Sequence, residues 1–107
     1  MDDSVKIHAG ASVSGECTVE GDVTIHSRSV VHPKAVIVAE PGNPIVIGSG
    51  NIIEEASSIT SLSGAVTIGN GNHLQVGCRL DSCKLGDANI IEPSCKLCQT
   101  SSQHCEA

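Results

Sequence analysis

The chain contains no phenylalanine, tyrosine or tryptophan in 107 residues, so its core cannot be built on large planar side chains. It has only six lysines and arginines against twelve aspartates and glutamates, a formal net charge of −6. The six cations are scattered, which excludes the clustered positive field that nucleic acids and anionic membranes attract. No segment approaches the roughly 20 apolar residues that a membrane-spanning helix needs. The opening MDDSVKIHAG has no basic stretch followed by an apolar run. A cytosolic protein is expected, with its six cysteines reduced. The length suits one domain and not two with separate cores.

What the chain does have is aliphatic side chains at a fixed interval. Ile7, Val13, Val19, Ile25, Val31 and Ile37 lie six apart; Ile47, Ile53 and Ile59 resume the spacing, then Ile68, Leu74 and Leu80, then Leu85, Ile91 and Leu97. Ile, Leu and Val make up only about a quarter of the chain, so fifteen such sites filled without exception are not a composition effect. A period of six fits neither a helix nor an ordinary strand pair. It is the period of a parallel β-helix, in which three hexapeptides close one triangular coil. The residue two places before each aliphatic is usually small: Ala11, Cys17, Ser29, Ala35, Ser57, Cys78, Cys83 and Cys95. Both positions are expected to point inward, since a narrow prism at interior packing density has room for one branched side chain per face and a smaller one near each corner. The β-helix is expected over 4–97, as about five coils rising roughly 24 Å. The polar tail CQTSSQHCEA at 98–107 is expected to be loosely ordered.

The interval breaks three times. Between Ile37 and Ile47 four extra residues enter, in a segment holding Glu40, Pro41, Gly42, Asn43 and Pro44, which reads as a surface loop at a corner. A shorter expansion around Ser61, Ser63 and Gly64 separates Ile59 from Ile68, and one residue is missing between Leu80 and Leu85, which one tightened turn absorbs. A second repeat overlies the hexads: IGSGNIIEE from Ile47, IGNGNHLQV from Ile68 and LGDANIIEP from Leu85. Its asparagines, Asn51, Asn72 and Asn89, are expected at one corner of successive coils. Asparagine tolerates left-handed backbone angles, and stacked amides can hydrogen-bond up the column. VTIHSRSVVHP is a looser copy, with Ser29 at the asparagine position.

The hexads resemble those of the bacterial transferase hexapeptide superfamily, whose members are left-handed β-helices. More narrowly, SVKI at 4–7, GDVTI at 21–25, VVHPKAVIVAE at 30–40, PIVIGSGNIIEE at 44–55, VGC at 76–78 and GDANIIE at 86–92 are similar to the β-helical subunits of the dynactin pointed-end complex. The similarity runs over about residues 4–92 and includes non-lattice residues such as His32, Pro33 and Lys34. It implies a single-stranded left-handed parallel β-helix acting as a non-enzymatic structural subunit that supports cargo and adaptor targeting of cytoplasmic dynein. The implied partners are dynactin subunit 5, subunit 4 and a terminal actin-related protein. The implied location is cytoplasmic and cytoskeleton-associated. It also implies a longer loop where this chain has TSLSGA, and further coils and a C-terminal helix after the last hexad, so a shortened form is expected.

Two enzyme classes of the superfamily need weighing. Gamma-class carbonic anhydrases bind zinc through three histidines shared between subunits, which makes a zinc homotrimer the alternative reading. His8 and His26 are expected one coil apart at matching outward positions, His32 on the next face and His73 beside Leu74, and no third histidine is expected on the face of the first two. An acyltransferase needs a histidine beside a long loop, and neither interruption contains one. Cys95, Cys98, His104 and Cys105 carry a C-x-x-C with zinc-type residues after it, but Cys95 also holds an inward position, as do Cys17, Cys78 and Cys83, where cysteine acts as a small hydrophobe. Gly21 and Asp22 read as a corner, and Glu54 and Glu55, as neighbours on a strand, would point apart and make poor acid–base partners. No catalytic residue, metal ligand or cofactor is assigned. The remaining candidates are the two coil ends, whose strand edges must be capped or used: Val5 and Ile7 at one, Ile91 and Leu97 at the other.

Overall fold

In the computed structural model, which describes residues 5–62, 64–82 and 84–97, every element is a short strand. β1 (Lys6–Ile7), β2 (Ser12–Val13) and β3 (Thr18–Glu20) form the first coil, and β4 (Val23–Ile25), β5 (Val30–Val31) and β6 (Val36–Val38) the second. β7 (Ile45–Ile47), β8 (Ile52–Ile53) and β9 (Ser58–Thr60) follow, then β10 (Val66–Ile68), β11 (His73–Leu74) and β12 (Arg79–Asp81), then β13 (Lys84–Leu85), β14 (Ile90–Ile91) and β15 (Lys96–Leu97). Every third strand pairs in parallel, giving three five-stranded sheets: face A, β1-β4-β7-β10-β13; face B, β2-β5-β8-β11-β14; face C, β3-β6-β9-β12-β15. The chain is a left-handed parallel β-helix. Cys83 and residues 98–107 lie outside the described residues.

The six-residue lattice is the register of the sheets. Ile7 pairs with Ile25 and Ile25 with Ile47, Val31 with Ile53, and Ile37 with Ile59, so each aliphatic stacks on its counterpart one coil away. From Val19 to Ile91 these side chains form one closed core. Burial of each contributes roughly 1.5–3 kcal/mol, and contact along a column adds dispersion that a hydrophobe lying alone on the surface would lack.

The second inward position differs from face to face, which the small-residue pattern captures only in part. On face C it is small, with Cys17, Ala35, Ser57, Cys78 and Cys95. On face B it is polar after Ala11, with Ser29, Asn51 and Asn72 buried. On face A it is branched: Val23, Ile45 and Val66 are completely buried there and widen the apolar column to two residues per strand.

The corners run through left-handed backbone. Gly10, Arg28, Gly50, Gly71 and Ala88 have positive φ between faces A and B, as do Lys34, Ala56, Gly77 and Ser94 between faces B and C. Non-glycine residues pay about 1 kcal/mol or more for this conformation, and the coil-to-coil hydrogen bonds hold it. All three breaks in the interval fall at the remaining corner, between faces C and A. Gly21 turns there in the first coil with φ 86°, and a side chain on it would strike the Ala39 carbonyl oxygen at 2.3 Å. The two longer connections stack on one another: the Ser61 hydroxyl donates to the Asn43 carbonyl (2.7 Å) and accepts from the Glu40 N–H (2.9 Å). Asn43 Nδ2 donates back to the Ser61 carbonyl (3.0 Å). Ser61, expected in a surface loop, is fully buried.

Candidate interaction surfaces

The most prominent motif is consumed by the fold. The side-chain oxygen of Asn51 accepts the Asn72 N–H (2.8 Å), and that of Asn72 accepts the Asn89 N–H (2.8 Å). The amide groups donate to carbonyls one coil on, Asn51 to Gly69 and Asn72 to Gly86, each at 2.7 Å. Ser29 does both jobs in the coil before, donating to the Gly48 carbonyl and accepting from the Asn51 N–H. The ladder expected from sequence is present, but it runs from side chain to backbone and not from amide to amide. A second ladder runs beside it: Asn70 Oδ1 accepts the Ser49 N–H and Asp87 Oδ1 the Asn70 N–H. It accounts for the first glycine of two of the three repeats, since a Cβ on Gly69 would lie 2.1 Å from Asp87 Oδ1, and one on Gly48 2.5 Å from Asn70 Oδ1. Among the described residues, no buried side-chain nitrogen or oxygen lacks a hydrogen-bond partner.

His8 and His26 do stack on face A, their ring centroids 4.5 Å apart. Among the described residues no three His, Cys, Asp or Glu side chains come together to hold a metal. His32 lies just past β5, on face B. His73, also on face B, bonds the Glu54 carboxylate of the coil before, a contact the sequence did not announce. Glu54 and Glu55 sit beyond the end of β8, at the corner and not on a strand; Glu54 is half-buried and Glu55 exposed. Cys17 and Cys78 are free thiols whose pKa burial pushes up. The expectation of six reduced cysteines is corrected at Cys95, which is buried and disulfide-bonded.

The coil ends carry the candidates named from sequence. β1, β2 and β3 are the outermost strands of the three sheets at one end, and β13, β14 and β15 at the other. Ile7 is 37% exposed, whereas Ile91 is buried at 7%. Val5 is half-buried against the core, and Leu97 lies in β15. A further surface escaped the periodicity argument. The outward column of face B reads Ser12, Val30, Ile52, His73 and Ile90, with Ile90 68% exposed and Ile52 37%. The corresponding column of face A, Lys6, Thr24, Val46, Thr67 and Lys84, holds one aliphatic. The signal was available in the doublets Val30-Val31, Ile52-Ile53 and Ile90-Ile91, where a strand carries an aliphatic on both sides.

With this architecture in hand, similarity to known proteins is informative. The chain is 47% identical over 102 residues to dynactin subunit 6 of Danio rerio and 45% identical over 101 residues to that of Xenopus tropicalis, in both cases across 83% of this chain. Over most of its length the chain is a dynactin subunit 6 homologue. A third relative, dynactin subunit 6 of Dictyostelium discoideum, is 35% identical over 64 residues, 59% of this chain and 34% of that protein. The homologue spans about half the length of the curated relatives it matches, 52% of the Danio and 50% of the Xenopus protein. No protein-family model matches it. Among solved structures, the acetyltransferase domain of PglB from Neisseria gonorrhoeae superposes with a TM-score of 0.65, over 92% of this chain and 56% of that one. A GDP-perosamine N-acetyl transferase mutant from Caulobacter crescentus, in complex with CoA and GDP-perosamine, gives 0.52 over 96% of this chain and 56% of that one. Both are 15% identical to the dynactin subunit 6 homologue, which relates them to it by fold alone.

Proposed function

We propose that the chain is a non-enzymatic, cytoplasmic structural subunit of the dynactin pointed-end complex, supporting cargo and adaptor targeting of cytoplasmic dynein. The carrying observation is the 47% identity to a protein named as a dynactin subunit, over most of this chain. The use of inward polar side chains agrees with it: Ser29, Asn51, Ser57, Ser61 and Asn72 all hold backbone groups of neighbouring coils.

The implied partners are dynactin subunit 5, subunit 4 and a terminal actin-related protein. Association would use the coil ends, at Val5 and Ile7 or Ile91 and Leu97, where backbone groups of the outermost strands can continue into another chain. The apolar column of face B offers a second contact, since exposed aliphatics in a row mark association surfaces. Native mass spectrometry of the chain, alone and co-expressed with dynactin subunit 5, tests the reading. A metal-free heterodimer is expected. A zinc-loaded homotrimer, or no association with subunit 5, overturns it.

A further inference from the structure

We propose that the hollow beside Gly77 is an anion site of phosphate class, formed by Arg79, Lys96 and Ser94. It has a volume of about 300 Å³ and is lined by these four residues, near the corner between faces B and C.

Residue 77 lines the hollow without a side chain. The equivalent corner residues of other coils, Lys34, Ala56 and Ser94, keep the same left-handed backbone with side chains attached, so the turn itself does not demand glycine. A Cβ on Gly77 would lie 3.4 Å from the Ser94 hydroxyl, which places that hydroxyl against the vacated space. Arg79 and Lys96 close the other side, each exposed and in direct register on neighbouring strands, about 4.8 Å apart at the backbone. Like charges directly opposite each other in a sheet repel. A chain with twice as many acidic as basic residues could have set a carboxylate between them, yet neither cation makes an ion pair with a described residue.

The pair suits a doubly charged guest. A guanidinium presents two parallel N–H donors to phosphate oxygens, an ammonium supplies a compact second charge, and a hydroxyl donates a third contact. A dianion neutralises both cations, whereas a single carboxylate leaves one uncompensated. The shared chemistry is a phosphoryl group, borne either by free phosphate or by a phosphorylated side chain of a partner. The inference is independent of the dynactin reading.

The test is an amide NMR titration of the whole chain with inorganic phosphate, chloride being exchanged out to hold ionic strength constant. Parallel arms use a phosphoserine peptide and its unphosphorylated form. Saturable shifts are expected at Gly77, Arg79, Ser94 and Lys96, weakened roughly tenfold or more in the Arg79→Ala/Lys96→Ala variant, since the charge-assisted hydrogen bonds of both side chains are lost. Both side chains are exposed, so the variant's spectrum elsewhere should match the parent's and report an intact fold. Tighter binding of the phosphopeptide than of phosphate assigns the site to a phosphorylated partner; equal or weaker binding assigns it to free phosphate. Absence of saturable shifts, unchanged affinity in the variant, or equal binding of the unphosphorylated peptide overturns the proposal.

Discussion

At the residue scale, Asn72 is the most informative position, because one side chain satisfies two backbone groups of the next coil. Its oxygen accepts the Asn89 N–H and its amide donates to the Gly86 carbonyl. Asn72→Ala strands both groups, and leaving a buried polar group unmade costs roughly 1–3 kcal/mol. Asn72→Ser should be the milder change, because Ser29 already makes the equivalent pair of bonds with a single hydroxyl. Urea denaturation of the two variants decides the matter. Equal destabilisation would mean that the amide is needed for its size and not for its hydrogen bonds.

At the element scale, the strands are two or three residues long, so adjacent residues have opposite fates. In β8, Ile53 is completely buried while Ile52 is 37% exposed. An aspartate at 53 places an unpaired charge in the core and should cost more than about 4 kcal/mol, enough to unfold a small domain. Ile52→Asp should stay within about 1 kcal/mol of the parent, so thermal melts of the two variants should differ sharply. A folded Ile53→Asp protein would sink the inward assignment.

The same contrast shows what was legible in the chain. Inward aliphatics repeat without exception and follow directly from a constraint every coil shares, so Ile53 could be placed without coordinates. The asparagine corner was equally readable, since one motif recurs three times. Three features were not. The branched second column of face A, Val23, Ile45 and Val66, breaks the small-residue rule because the three faces need not be alike. The burial of Ser61 arises only because two insertions of different length settle on one corner and bond each other. The hollow at Gly77 depends on which strands bring Arg79 and Lys96 into register. No local pattern reports such coincidences between residues 17 to 21 apart.

At the scale of the whole molecule, the charges are mostly acidic while the outward column of face B is largely apolar. Net negative charge opposes indiscriminate self-association, and an apolar column favours association with a surface that complements it. If face B meets dynactin subunit 5, the Ile52→Lys/Ile90→Lys variant should melt as the parent does, since both side chains are exposed, yet fail to form the heterodimer in native mass spectrometry. Retention of the heterodimer would leave the coil ends as the contact.

The confinement of every length change to the corner between faces C and A has its own consequence. The other two corners turn through a left-handed residue at the same place in nearly every coil, and one of them is also held by two hydrogen-bonded ladders, so a residue added there would throw each later side chain out of phase. Along the third, chain length varies from coil to coil while β6 still pairs with β9, and β9 with β12. The prism thus has two edges of constant pitch and one expandable seam, and growth or loss of sequence at that seam alters its outline without shifting the alignment of what lies inside.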